Sequence, residues 1–213
     1  MRKLLTVLIF TGLSTLGMIA SSAHAGMILF QDGFDSDLGT SALNFTNFSN
    51  WTVGNGTVDY IRSPNLWGIT CVTGCVDMDG STGNGGRLTT KSTFNILAAH
   101  TYKISADVSG NQRTGSIENL TFGFSNIFTS QNINPGNLFS NHGFTFSGVS
   151  FAGAIFFETF SNDNIGAIID NVAFECVTCG VSTVPEPGIT LLLVLGLAGL
   201  GLARTRKSAR AAS

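Results

Sequence analysis

Polar and apolar residues alternate with a period of two over much of the chain's middle. The clearest run spans residues 101–108, where Tyr102, Ile104, Ala106 and Val108 alternate with Lys103, Ser105 and Asp107. Successive side chains of a strand point to opposite faces, so this run predicts a strand with one buried and one wet face. Ser109, Gly110 and Asn111 end it. Leu120, Phe122 and Phe124 repeat the pattern, as do Phe144 with Phe146 and Val149 with Phe151. Residues 165–174 form a denser apolar run, as expected of a central strand covered on both faces. No segment of the middle has a capped apolar stripe of helical period and length, and residues 95–102 are too short to change this. Gly- and Asn-rich stretches at 77–87 and 131–142 read as long loops. The pattern predicts an all-β fold, a two-sheet jelly-roll sandwich whose many phenylalanines fill the core.

Both ends break this pattern. Arg2 and Lys3 precede an apolar run to residue 19, which closes on Ala23-His24-Ala25. That order predicts a signal peptide over residues 1–25, cut after Ala25 with Ala23 and Ala25 as the small residues of the cleavage site. At the other end, Val184-Pro185-Glu186-Pro187 leads into an uncharged stretch at 188–203 and then a basic cluster of Arg204, Arg206, Lys207 and Arg210. The uncharged stretch reaches about 24 Å as a helix, at about 1.5 Å per residue. A full span wants about 20 residues, so it suits transient rather than lasting insertion in the inner membrane. The basic cluster would stay cytoplasmic and leave the preceding domain outside. Residues 26–183 remain as one ectodomain and 184–213 as a C-terminal tail.

Between the ends, five basic residues face twelve acidic ones, a net charge of −7. Each phosphate contact needs a cation, so nucleic acid is excluded as a natural partner. Cations and neutral ligands fit better. All four cysteines, Cys71, Cys75, Cys176 and Cys179, lie in this exported part. Their spacing, Cys-x3-Cys and Cys-x2-Cys, allows three disulfide connectivities or a four-thiolate zinc site. An oxidising compartment favours disulfides, and the spacing leaves the connectivity open.

No catalytic constellation is present: residues 148–153 miss the nucleophile-elbow spacing, and there is no zinc-protease or phosphate-loop motif. Glu118 and Glu158 are the nominal pair for a glycoside hydrolase, but they read more simply as surface acids. The chain is therefore expected to be non-enzymatic, with a structural or adhesive matrix role, or in last place a polysaccharide hydrolase, as alternatives. Asp32-Gly33-Phe34-Asp35-Ser36-Asp37 lacks the glycine an EF-hand needs at its sixth position. Asp35 remains a candidate for either turn capping or calcium, with Asp77 and Asp79 weaker ones. Trp51, Tyr60 and Trp67 are candidate stacking platforms for a sugar, although tryptophan in a sandwich is more often core. Trp67, beside Pro64, Asn65 and Gly68, is the best placed of the three.

The tail resembles a PEP-CTERM sorting signal, carried in order by Val184 to Pro187, the apolar stretch and Arg204 to Lys207. The resemblance implies recognition by an exosortase in a Gram-negative bacterium and delivery to the cell surface or an exopolysaccharide matrix. The middle is similar to PEP-CTERM ectodomains with a galactose-binding-like, carbohydrate-binding-module-like jelly roll. Residues 47–53, 77–86, 101–113 and 163–172 carry that likeness. It implies a structural calcium on an acid after the first strand and an Asp in the last, which here are Asp35 and Asp170. It further implies association with exopolysaccharide. The four cysteines are not part of that pattern.

Overall fold

The computed structural model describes residues 26–180 except 66, 72 and 114. Thirteen strands make up the fold, with no helix among the described residues. They are β1 (Met27–Asp32), β2 (Trp51–Gly54), β3 (Asp59–Ile61), β4 (Cys75–Asp77), β5 (Arg87–Thr90), β6 (Phe94–Ile96) and β7 (Thr101–Ser109). The second half adds β8 (Glu118–Phe124), β9 (Ile127–Ile133), β10 (Ser140–Ser147), β11 (Phe151–Gly153), β12 (Ile155–Thr159) and β13 (Ile168–Cys176). One sheet runs β10-β7-β13-β4-β3, with β1 also on β13; the other runs β2-β5-β12-β8-β9. A short β11-β6 ribbon completes the set. This is the jelly-roll sandwich that the alternation predicts. The segment expected as a signal peptide, 1–25, and the tail 184–213, with the residues expected in cleavage and sorting, lie outside the described residues.

Core aromatics from the two sheets meet face to face. Phe124 of β8 stacks on Phe174 of β13 at 5.5 Å, and Phe174 stacks in turn on Tyr102 at 5.7 Å. Trp51 of β2 sits edge-on to Phe30 of β1 at 5.5 Å and to Phe157 of β12 at 6.1 Å. Each such pair adds about 0.5–1.5 kcal/mol beyond the area it buries. These phenylalanines are therefore core filling, unlike the exposed Phe128, Phe139 and Phe160, and so are Trp51 and Tyr60, both fully buried.

The strand expected at 101–108 is β7, and Ser105 on its polar side is buried because β10 and β13 flank it. The loop expected at 131–142 is shorter, since Gln131 to Ile133 belong to β9 and Ser140 to His142 to β10. The apolar run at 165–174 joins the sheet only from Ile168. Glu118 and Glu158 correct the surface reading: they are 2% and 6% exposed. Phe122 pairs with Phe157 across β8 and β12, so Glu118 shares the core-facing side with Phe122 while Glu158 lies on the other. Two carboxylates on opposite sides of a sheet cannot flank one glycosidic bond.

The disulfides are Cys71–Cys75 and Cys176–Cys179, so neither the cross pairing nor the four-thiolate site is formed. Each closes a loop of a few residues, worth about 2 kcal/mol in the chain-entropy description. His100 brings a ring nitrogen within 4.8 Å of the Cys176 and Cys179 sulfurs. Those sulfurs are already bonded to each other.

Candidate functional site

Two features stand out on the sandwich, an acidic cleft at β13 and the outward face of the five-stranded sheet. The cleft follows from topology. β7 covers one side of β13 over most of its length, while β1 and β4 share the other side. β1 pairs from Val172 onward and β4 only at Ile168 and Ile169, which leaves Asp170 and Asn171 between them. The pairing with β7 also skips there, a β-bulge between Asp170 and Ala173. Bulges re-aim side chains at sheet edges and sites. Asn171 takes a left-handed φ of 47°, which asparagine tolerates best among branched polar residues.

Four carboxylates converge at this break. Asp107 is the cross-strand partner of Asp170 and accepts hydrogen bonds from Asn171 Nδ2 at 3.0 Å and Asn141 Nδ2 at 3.2 Å. Asp32, at the end of β1, accepts from the Phe34 backbone at 2.9 Å, Trp51 Nε1 at 2.8 Å and Asn50 Nδ2 at 3.0 Å. Burial pushes the Asp170 carboxyl up to about 6; the negative charges of Asp35, Asp107 and Asp32 add to this, against the Asn171 backbone N–H. A cleft of about 500 Å³ opens here, lined among others by Asp32, Asp35, Asn50 and Asn171. Asp35 thus lies near enough to Asp170 for its charge to act there, as do Asp32 and Asp107, which no local motif marks.

The donor set is all oxygen and its charge is uncompensated around Asp170, which fits a hard cation of the calcium type. Among the described residues no three carboxylates bring oxygens within 4.8 Å of one another. A cation here would therefore complete its shell with carbonyls and water. If it binds, chelator should lower the melting temperature of the wild-type chain by more than that of Asp170→Ala. An equal response in both would remove calcium from this cleft.

The outward face of the five-stranded sheet is built by register. Thr52, Thr89, Phe156, Gly123 and Phe128 form one row across all five strands. Gly54, Arg87, Glu158, Thr121 and Ser130 form the next. The Arg87 guanidinium lies 3.7 Å above the Phe156 ring and bonds Glu158 at 3.0 Å. Glu158 also accepts from Asn55 Nδ2 at 2.7 Å. Thr121 and Ser130 share a hydroxyl–hydroxyl bond of 2.7 Å, and Asn119 donates to Asn132 at 3.1 Å. Phe128 is 56% exposed and meets Phe156 edge-on at 6.3 Å. A Cβ on Gly123 would strike the Ile127 carbonyl and the Phe128 backbone, so only glycine lets the β8–β9 hairpin lay Phe128 across its neighbour.

Trp67 is placed differently from either feature. It is half buried against a small cluster of Ile61, Ile69, Cys71, Cys75 and Ile168, and Asn65 Oδ1 accepts its backbone N–H at 3.1 Å.

A jelly-roll sandwich with an acidic cleft and a polar, aromatic sheet face is the class of protein these features define. Residues 183–207 match the PEP-CTERM protein-sorting motif, which marks an exported protein sorted to the cell surface and processed by an exosortase. No curated protein sequence matches the chain at a significant level. Among solved structures, the CBM22-1 xylan-binding domain of Paenibacillus barcinonensis Xyn10C is similar, at 16% identity and a TM-score of 0.45 over 73% of this chain and 98% of that one. The K1 cleaved adhesin domain of Lys-gingipain from Porphyromonas gingivalis W83 is similar at 13% identity and 0.43, over 68% and 96%. The CBM6cm-2 module of Cellvibrio mixtus lichenase 5A, in complex with cellotriose, follows at 12% and 0.38, over 70% and 98%. Likeness at this level says nothing of a ligand.

Proposed function

We propose that the protein is a non-catalytic surface module that holds neutral exopolysaccharide on the outward face of its five-stranded sheet. The layout behind it is a signal peptide at 1–25, an ectodomain at 26–183 and a sorting tail at 184–213 that inserts transiently in the inner membrane of a Gram-negative cell. Calcium in the Asp35/Asp170 cleft steadies the fold and takes no part in chemistry. The observation that carries the reading is the pair of rows through Phe156–Phe128 and Arg87–Glu158. An exposed ring offers a stacking plane, and the hydroxyls and amides beside it offer both donors and acceptors, the combination that neutral sugars require. Their mutual hydrogen bonds hold them in place before a ligand arrives, which reduces the ordering cost of binding. The net negative charge of the ectodomain favours a neutral glycan over an acidic one.

Affinity electrophoresis of the full chain through gels containing neutral polysaccharides tests this. Phe128→Ala is expected to weaken retention by about fivefold, the equivalent of about 1 kcal/mol of stacking, with little change in stability because the ring is exposed. Retention that is equal in wild type and Phe128→Ala would move the glycan elsewhere, Trp67 being the next position to substitute.

A further inference from the structure

A second acidic cluster lies away from both features, where three loops meet. Asp77 closes β4 and Asp79 opens the loop after it; Glu118 begins β8; Asp163 stands in the loop before β13. Asp77, Asp79 and Glu118 are buried, at 1%, 0% and 2% exposure. Asp77 has a countercharge in Arg113, whose Nη2 donates to its Oδ2, and its Oδ1 accepts the backbone N–H groups of Asp79 at 3.1 Å and Gly166 at 2.9 Å.

Asp79 is arranged differently. Its Oδ2 accepts the backbone N–H groups of Asp163 and Asn164, each at 3.1 Å. Its Oδ1 is buried with no hydrogen-bond partner among protein groups. Glu118 is close enough to be raised by the charges of Asp163 and Asp79, after the larger effect of its own burial, and the groups that donate to it are neutral, Asn111 Nδ2 at 3.2 Å and the Ser161 hydroxyl. Two buried carboxylates thus share one region without a protein cation of their own. An uncompensated buried charge costs several kcal/mol, and an orphaned acceptor adds about 1–3 kcal/mol.

We propose that Asp79 Oδ1 and Glu118 hold a hard divalent cation of the calcium class, clasping the loops after β4, β7 and β12. Oδ1 is too deeply buried for a sugar to reach, so its partner is small. The carboxylates of Asp79, Glu118 and Asp163 offer oxygen ligands, and calcium accepts carbonyls and waters for the rest of its six to eight. Such fillers are required, because three carboxylates do not converge there. The competing occupant is a water molecule linking Asp79 Oδ1 to Arg113 Nε, which is also buried and unpartnered. Asp79→Asn separates the two. The amide oxygen can still accept from residues 163 and 164, while the amide NH2 points where a cation would sit. A water accepts that NH2 group, and a cation is repelled by it.

The test is calcium titration calorimetry and thermal melting on the decalcified full chain. Asp79→Asn is expected to bind one calcium fewer than wild type, and Glu118→Gln to weaken the same site on the order of tenfold or more. Asp170→Asn serves as the background in which the acidic cleft is silent. Asp79→Asn binding as many ions as wild type, and melting no lower in calcium, would overturn the proposal in favour of water. Should that variant not fold, wild-type crystals soaked in terbium decide instead. An anomalous peak beside Asp79 Oδ1 supports the site, and its absence there rejects it. Neither result depends on whether the sheet face binds a glycan.

Discussion

Arg113→Met is expected to destabilise the domain by about 3 kcal/mol in urea denaturation, among the largest effects of any single substitution outside the aromatic core. Arg113 is the countercharge of Asp77, and its side chain is a quarter exposed while that of Asp77 is almost wholly buried. Removing the guanidinium leaves the carboxylate with two backbone N–H donors only. Breaking a buried pair from one side costs about 3–5 kcal/mol, more than the pair is worth against an apolar replacement. The low end applies here because burial raises the Asp77 carboxyl and Arg113 is the main influence holding it down, so the carboxyl can take a proton once the guanidinium is gone. Adding Asp77→Asn to Arg113→Met should therefore recover part of the loss. A double variant that is less stable than Arg113→Met by the full cost of Asp77→Asn alone would mean that the two residues do not act as a pair.

Trp51→Ala should cost about 3–5 kcal/mol, the range for truncating a buried tryptophan. The ring is fully buried and reaches both sheets, touching Phe30 on β1, Phe34 in the turn after it and Phe157 on β12. It also ties the core to the acidic cleft, because its Nε1 donates to Asp32 Oδ2 at 2.8 Å. The substitution is thus expected to loosen Asp32 and reduce any stabilisation by calcium. Trp51→Phe separates the two contributions: it keeps most of the packing and loses the hydrogen bond. A melting temperature for Trp51→Ala within a few degrees of wild type would contradict the placement of Trp51 in the core.

Where one strand face was core and the other polar, the sequence was readable. Tyr102, Ile104, Ala106 and Val108 are buried as their spacing predicts, because β7 runs long and straight enough for a period of two to show. Strands of three residues, such as β3, β4, β6 and β11, are too short to display any period, and tertiary pairing alone defines them. Glu118 and Glu158 read as surface acids because carboxylates default to water. Their burial depends on partners supplied by the fold: Asn55 lies 103 residues from Glu158 and Arg87 lies 71. Asp35 and Asp170 could be paired only through resemblance. That Asp32 and Asp107 join them follows from β1 pairing with one side of β13 and β7 with the other, a property of topology that no local segment encodes. The same holds for the sheet face. Thr52, Thr89, Thr121 and Ser130 are ordinary polar positions until register aligns them beside Phe128 and Arg87.

On the proposed function, a neutral glycan sits on the outward face of the five-stranded sheet. Amide chemical-shift mapping of the isotopically labelled chain, titrated with a neutral oligosaccharide that retains it in affinity gels, tests this most directly. The expected result is a set of perturbations confined to Thr52, Thr89, Thr121, Phe128, Ser130 and their row neighbours, unchanged by chelator. Perturbations centred on Trp67 or on the Asp35/Asp170 cleft, with the sheet face silent, would contradict it.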